Sequence, residues 1–245
     1  MIKKAPIKEV LPKQKRSSEE KAANSKASVG TRNKLVKSAL AHKIMSLLIK
    51  KYPEAECELS YKSPFQLLIA TILSAQTTDA SVNKATGPLF KEYPDAKTLA
   101  SADIKHLREL VKPTGYYNAK AANIQACAQQ LVDQFDGQVP KTQEELVTLR
   151  GVGRKTANVV LGVIYGVRGW AVDTHVQRLS KRLGFTKEKD PVKIEKDLEK
   201  LLPHEDWSKL SITLIFHGRR TCFAKKPACH LCPVDKLCPS AYKIK

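Results

Sequence analysis

From residue 39 onward, apolar positions recur at helical spacing. Leu40, Ile44, Leu47 and Leu48 fall three to four residues apart, which puts them on one face of an amphipathic helix ending near Pro53. Ser63 and Pro64 pair an N-cap with a first-turn proline and lead an apolar run over residues 65–73. Ala121, Ile124, Ala128, Leu131 and Val132 share a face of another helix, with Asn118 as the expected cap and Gly137 and Pro140 beyond its end. Thr142 and Glu145 have capping-box spacing and start a short helix that must stop at Gly151. Further helices are predicted over residues 154–165, over 176–183 behind Asp173-Thr174, and from Asp190-Pro191. Aromatic residues are only 6% of the chain, and no alternating run is bounded by hairpin turns. The chain is therefore predicted to be all-α.

Composition adds a partner. The 245 residues carry a net charge of +19, which raises affinity for polyanions, because each neutralised phosphate releases a condensed counterion. Residues 1–40 hold 11 Lys/Arg against 3 Asp/Glu, so the remainder of the chain is basic in its own right. Residues 1–35 are rich in Lys, Ser and Ala with little apolar content, and are expected to form a disordered basic tail. No run approaches the roughly 20 apolar residues of a membrane span, and the N-terminus lacks the apolar core of a secretory signal. A soluble protein is expected, cytoplasmic and nucleoid-associated in a bacterium, or nuclear or mitochondrial in a eukaryote.

Residues 149–157 read LRGVGRKTA between two predicted helices. Gly151 and Gly153 permit a tight turn and a close approach of backbone N–H groups to an anion, while Val152 can plug the turn into the core. The following helix start adds unpaired N–H groups and a positive dipole end. With Arg154 and Lys155 adjoining, the turn suits a phosphodiester of any base sequence.

Four of six cysteines crowd near the C-terminus as Cys222-x6-Cys229-x2-Cys232-x5-Cys238. Four thiolates suit either a zinc site or a [4Fe–4S] cluster. A single C-x2-C with longer arms on both sides favours the cluster over the paired knuckles usual for zinc. Cys57 and Cys127 sit in apolar helical contexts and are expected to be core thiols.

Residues 149–161, LRGVGRKTANVVL, resemble the helix-hairpin-helix of the endonuclease III family of DNA glycosylases. The similarity extends to Leu73-Ser-Ala-Gln-Thr-Thr-Asp79, Gly115-Tyr-Tyr-Asn-Ala-Lys120, Ala171-Val-Asp-Thr-His175 and the four cysteines, in one consistent order over residues 38–240. The resemblance implies a two-domain helix-hairpin-helix glycosylase fold with a C-terminal iron–sulfur loop. Residues 57–167 would hold the hairpin, and residues 36–56 would join 168–245 in a second domain. It implies Lys155 as the catalytic amine and Asp173 as the second catalytic residue. Gln76 and Tyr116 would be wedges entering the duplex, although an aliphatic residue is commoner at the latter position. Asp79 would lie near the base pocket, or simply cap the helix over residues 77–84. The four cysteines would hold [4Fe–4S], with Arg219, Arg220, Lys225 and Lys226 balancing its charge and the two lysines also reaching phosphate.

An amine nucleophile fits excision coupled to strand cleavage, since it leaves a Schiff base whose acidified neighbouring proton permits β-elimination. A neighbouring cation and a helix N-terminus favour the neutral amine this requires. Asp173 could both cap the helix after it and stabilise an oxocarbenium-like transition state. The related mismatch-adenine glycosylases lack a lysine at this position, and the branch that removes oxidised guanine lacks the cysteines. The expected partner is therefore double-stranded DNA carrying damaged pyrimidines or abasic sites, bound by a monomer. A non-catalytic helix-hairpin-helix binding module is the alternative of a different class.

Overall fold

The computed structural model describes residues 36–167, 169–203 and 206–244; the expected tail of residues 1–35 lies outside the described residues. Among the described residues there are helices and turns and no strand. The α-helices are α1 (Ser38–Lys51), α2 (Pro64–Leu73), α3 (Asp79–Glu92), α4 (Ala96–Ala100), α5 (Ile104–Val111), α6 (Tyr117–Phe135), α7 (Gln143–Leu146), α8 (Arg154–Tyr165), α9 (Thr174–Arg182), α10 (Pro191–Leu201) and α11 (Trp207–Arg220).

Side-chain oxygens start most of these helices, as the cap residues require. Ser63 accepts from Gln66 N, Thr78 from Ser81 N, Thr142 from Glu145 N, Asp173 from Val176 N and Asp190 from Lys193 N. Thr78, not Asp79, is thus the cap of α3. The expected cap Asn118 lies inside α6, which starts one residue earlier behind Tyr116 in the left-handed region.

The apolar residues gather into two cores. One is built around α2, whose residues 65–73 are all buried, with α3 to α8 packed about it. An element apolar on every side is stable only when surrounded. The second core joins α1 to residues from Trp170 onward, including α9, α10 and α11. Chain segments more than 100 residues apart meet there, as Tyr52 does in bonding to Thr221 at 2.7 Å. The helix α8, which carries the hairpin, packs against α2 in the first core and against α11 of the second. Cys127 is fully buried, and burial pushes its thiol up to about 12.

Candidate functional site

The hairpin turn is held by side chains of α6. Arg150 N–H donates to Gln130 Oε1 at 2.7 Å and its Nε to Asn123 Oδ1 at 3.1 Å. Gly151 has φ +81°, and a Cβ there would meet Asn123 and Ile72 side chains at 3.2 Å, so both backbone conformation and space call for glycine. Val152 is buried and gives its N–H to Leu149 O; it shapes the turn from inside and presents no side chain outward. Gly153 ends the turn as the N-cap of α8 with no side-chain cap. The first N–H groups of α8 therefore have no acceptor among the described residues and offer a site for an anion.

Lys155, on the first turn of α8, is exposed and makes no hydrogen bond or ion pair among the described residues. It lines a cleft of about 680 Å3 together with Asp79, Asp173 and Arg219. The walls are the aliphatic side chains of Leu59, Val159, Val163, Ile212 and Ile215, with the hydroxyls of Thr71, Ser74 and Ser208. The cleft mouth adds Gln76, Thr174, His175 and Pro191. Asp173 reaches this cleft from the N-cap of α9. Its Oδ1 accepts from Val176 N at 2.8 Å, while Oδ2 accepts no hydrogen bond among the described residues. Capping locks the rotamer and leaves one carboxylate oxygen for chemistry. Burial lowers the His175 pKa, against the opposing pull of the Asp173 carboxylate. The His175 ring sits where a Cβ on Gly218 would meet it at 2.7 Å.

Gln76 and Tyr116 share an unusual feature. Both are exposed non-glycine residues in the left-handed region, at φ 55° and 47°. Neither side chain is tied to its own loop by a hydrogen bond among the described residues. Tyr116 is 71% exposed. The loop before it is clamped by Lys120, a buried ammonium that donates to Thr114 O at 2.6 Å and whose pKa burial lowers.

The cationic residues divide differently from the expectation drawn along the chain. Arg219 bonds Asp79 at 2.8 Å and also Glu58, and Arg220 bonds Glu54 at 2.7 Å, so both link α11 to carboxylates 140 or more residues away. The arginines at the cysteine loop are instead Arg178 and Arg182 of α9. Arg182 reaches Cys222 Sγ at 3.3 Å and the carbonyls of Phe223 and Ala224 at 2.6 and 2.7 Å. Arg178 reaches the carbonyls of Gly218 and Cys222, each at 3.0 Å. Their signal was one helical turn of spacing, Arg178 to Arg182, on the helix that Asp173 caps. Arg154, expected to face phosphate, spends its Nε on the buried Glu195 at 2.7 Å. Lys225 and Lys226 are exposed and unpaired among the described residues.

Cys222, Cys229, Cys232 and Cys238 stand around the wall of a recess of about 410 Å3. Among the described residues no three His, Cys, Asp or Glu side chains converge closely enough to hold a single ion. Neighbouring donors already point at two of the sulfurs, Arg182 at Cys222 and the Tyr242 N–H at Cys229 at 3.5 Å, and His217 Nε2 lies 3.6 Å from Cys232 Sγ. Burial, reinforced by the neighbouring thiols, pushes Cys232 up to about 11. A cationic core would relieve that crowding, and a cluster of negative net charge wants N–H donors around its sulfurs. The four residues fit a [4Fe–4S] group.

Comparison with known proteins identifies the family. Residues 69–204 match the family model of the HhH-GPD superfamily base excision DNA repair proteins. The chain is 53% identical over 206 residues to endonuclease III of Synechocystis sp. (strain ATCC 27184 / PCC 6803 / Kazusa), covering 84% of this chain and 94% of that protein. It is 46% identical to endonuclease III of Bacillus subtilis (strain 168), over 78% of this chain and 88% of the relative. The solved structure of a trapped endonuclease III–DNA covalent intermediate superposes with a TM-score of 0.81 at 42% identity, covering 85% of this chain and 99% of that one. Among the described residues no helix is long and apolar enough to cross a membrane. The chain belongs to the HhH-GPD superfamily of base excision DNA repair proteins and, within it, to the endonuclease III family.

Proposed function

We propose that the protein is a bifunctional DNA glycosylase and abasic-site lyase that removes oxidised or ring-saturated pyrimidines from duplex DNA and then cleaves the strand by β-elimination. The observation that carries this reading is the placement of Lys155 and the free oxygen of Asp173 on one cleft, with Gln76 lining its mouth. The domain division follows the two cores: residues 57–167, and residues 36–56 with 168–245, with duplex DNA across the cleft between them. The protein acts as a monomer, in the cytoplasm with the nucleoid, as suits its kinship with bacterial enzymes.

The lysine amine attacks C1′ of the flipped nucleotide, and the base departs with the electrons of the glycosidic bond. Positive charge builds at C1′ and the ring oxygen during this step, where the Asp173 carboxylate stabilises it. Asp173 also accepts the proton that the attacking nitrogen must lose. Opening of the sugar ring gives an iminium on Lys155. Loss of a C2′ proton then expels the 3′ phosphate, and water frees the lysine. The first N–H groups of α8, which follow the Gly151–Gly153 turn, hold a phosphate, aided by Arg154, Lys225 and Lys226. Gln76 fills the gap left by the flipped base and Tyr116 wedges the opposite strand. The four cysteines would hold a [4Fe–4S] group, whose contribution when bound is to order the loop that presents Lys225 and Lys226.

Borohydride trapping on a duplex carrying one thymine glycol tests the reading, with Lys155→Gln beside the wild type. A covalent adduct from the wild type alone is the expected result. A wild type that binds the duplex yet traps neither there nor at a plain abasic site overturns it, leaving a monofunctional glycosylase or a binding module.

A further inference from the structure

The Lys155-bearing end of α8 has no side-chain cap, so its first N–H groups are not held by a capping oxygen. Something else must fix its position. Glu195 of α10 does so from the second core. Glu195 is 4% exposed, and its carboxylate divides its oxygens: Oε2 accepts from Arg154 Nε at 2.7 Å, and Oε1 from Asn158 Nδ2 at 2.9 Å. Arg154 and Asn158 are one turn apart on the same face of α8 and bracket Lys155.

Asn158 is itself fully occupied. Nδ2 also donates to Trp170 O at 2.8 Å, and Oδ1 accepts from Gln143 of α7. Trp170 lies three residues before Asp173 on the strap that leads into α9. One buried carboxylate thus ties the helix of Lys155, through a single amide, to the segment of Asp173. Its charge is met by the Arg154 guanidinium, whose two terminal amino groups make no hydrogen bond among the described residues and stay available to phosphate.

We propose that Glu195 is a positioning residue, which sets the Lys155 amine against Asp173 by holding Arg154 and Asn158; this rests on the lysine chemistry proposed above. No group touching the substrate is lost with Glu195, so its removal should act on geometry. A misplacement of about 1 Å at a reacting pair costs on the order of 100-fold in rate.

The test compares wild type, Glu195→Gln and Asn158→Ala in the full, cluster-loaded chain. Two quantities are measured: affinity for a duplex with a tetrahydrofuran abasic analogue, and the single-turnover rate constant for borohydride-trappable adduct with enzyme in saturating excess. A glutamine presents one acceptor where the carboxylate presents two, so one of the two bonds must break. The expected result is a rate constant lowered at least about tenfold in both variants, with affinity changed by less than about threefold. A merely structural role would lower the melting temperature or the active fraction but leave the saturated rate of folded protein unchanged. If Glu195→Gln does not fold, Asn158→Ala, which keeps the Arg154–Glu195 pair, carries the test alone. Wild-type rates at saturation in either folded variant would overturn the proposal. A wild type that does not trap at all would instead overturn the lysine chemistry on which it rests.

Discussion

Gly162 and Ser208 decide how closely the hairpin helix approaches the second core. A Cβ on Gly162 would stand 2.6 Å from Ser208 Oγ and 2.7 Å from Ser208 Cβ. The hydroxyl can rotate away, but the Cβ is fixed to the α11 backbone, so Gly162→Ala must push α8 and α11 apart. Overpacking of this kind costs about 1–3 kcal/mol, and alanine in a helix interior returns about 1 kcal/mol relative to glycine. The balance is a destabilisation of about 1 kcal/mol, or about 2–4 °C in melting temperature for a domain of this size. Ser208→Gly removes the obstructing atom, so the double variant should recover the overpacking loss. The cycle should show a favourable coupling of about 2 kcal/mol. Urea unfolding of the four cluster-loaded proteins under identical conditions measures it, from midpoints at constant slope. Gly162→Ala as stable as the wild type, or a coupling below about 0.5 kcal/mol, would refute the argument that the helices meet there without slack.

Two other expectations separate roles that share a residue or a surface. Asp173→Asn retains an acceptor for Val176 N and should keep stability within about 0.5 kcal/mol, whereas Asp173→Ala should lose about 1 kcal/mol with the cap. Both should lower single-turnover excision by about 100-fold or more, and an active Asp173→Asn enzyme would confine Asp173 to capping. Lys225→Ala and Lys226→Ala should each reduce the slope of log affinity against log salt by about 0.9 on an abasic-analogue duplex. An unchanged slope, measured by fluorescence anisotropy, would place those ammonium groups away from phosphate.

Local signals in the chain were legible because local physics produced them. Ser63, Thr142, Asp173 and Asp190 cap helices as their side chains dictate, and the boundaries of α8 follow from a glycine at each end. Val152 turns inward while the glycines beside it face out, as the apolar–glycine alternation implies. Other helices carry little local signal: α4 and α5 are short, and α11 mixes its apolar face with Ser, Thr and His that become buried only by packing. Tyr116 starts α6 from the left-handed region, a conformation that side-chain type does not announce.

The sequence by itself determined the helical class, the basic character, the hairpin turn and the crowding of four thiols, since each depends on residues within a few positions of one another, while Lys155 and Asp173 stood out as the candidate amine and carboxylate through the family resemblance. Tertiary structure alone decided which charges meet. Arg219 and Arg220, beside Cys222 in the chain, turn to carboxylates of the segment before α2 and the start of α3, while Arg178 and Arg182 arrive at the cysteine loop from α9. Arg154 meets Glu195 across 41 residues. Nothing in chain order encodes such pairs, because the packing of the two cores decides which side chains come within a few ångströms of one another; for the buried Glu195 standing unpaired would be costly, whereas the part-exposed arginine pairs of α11 simply follow the geometry.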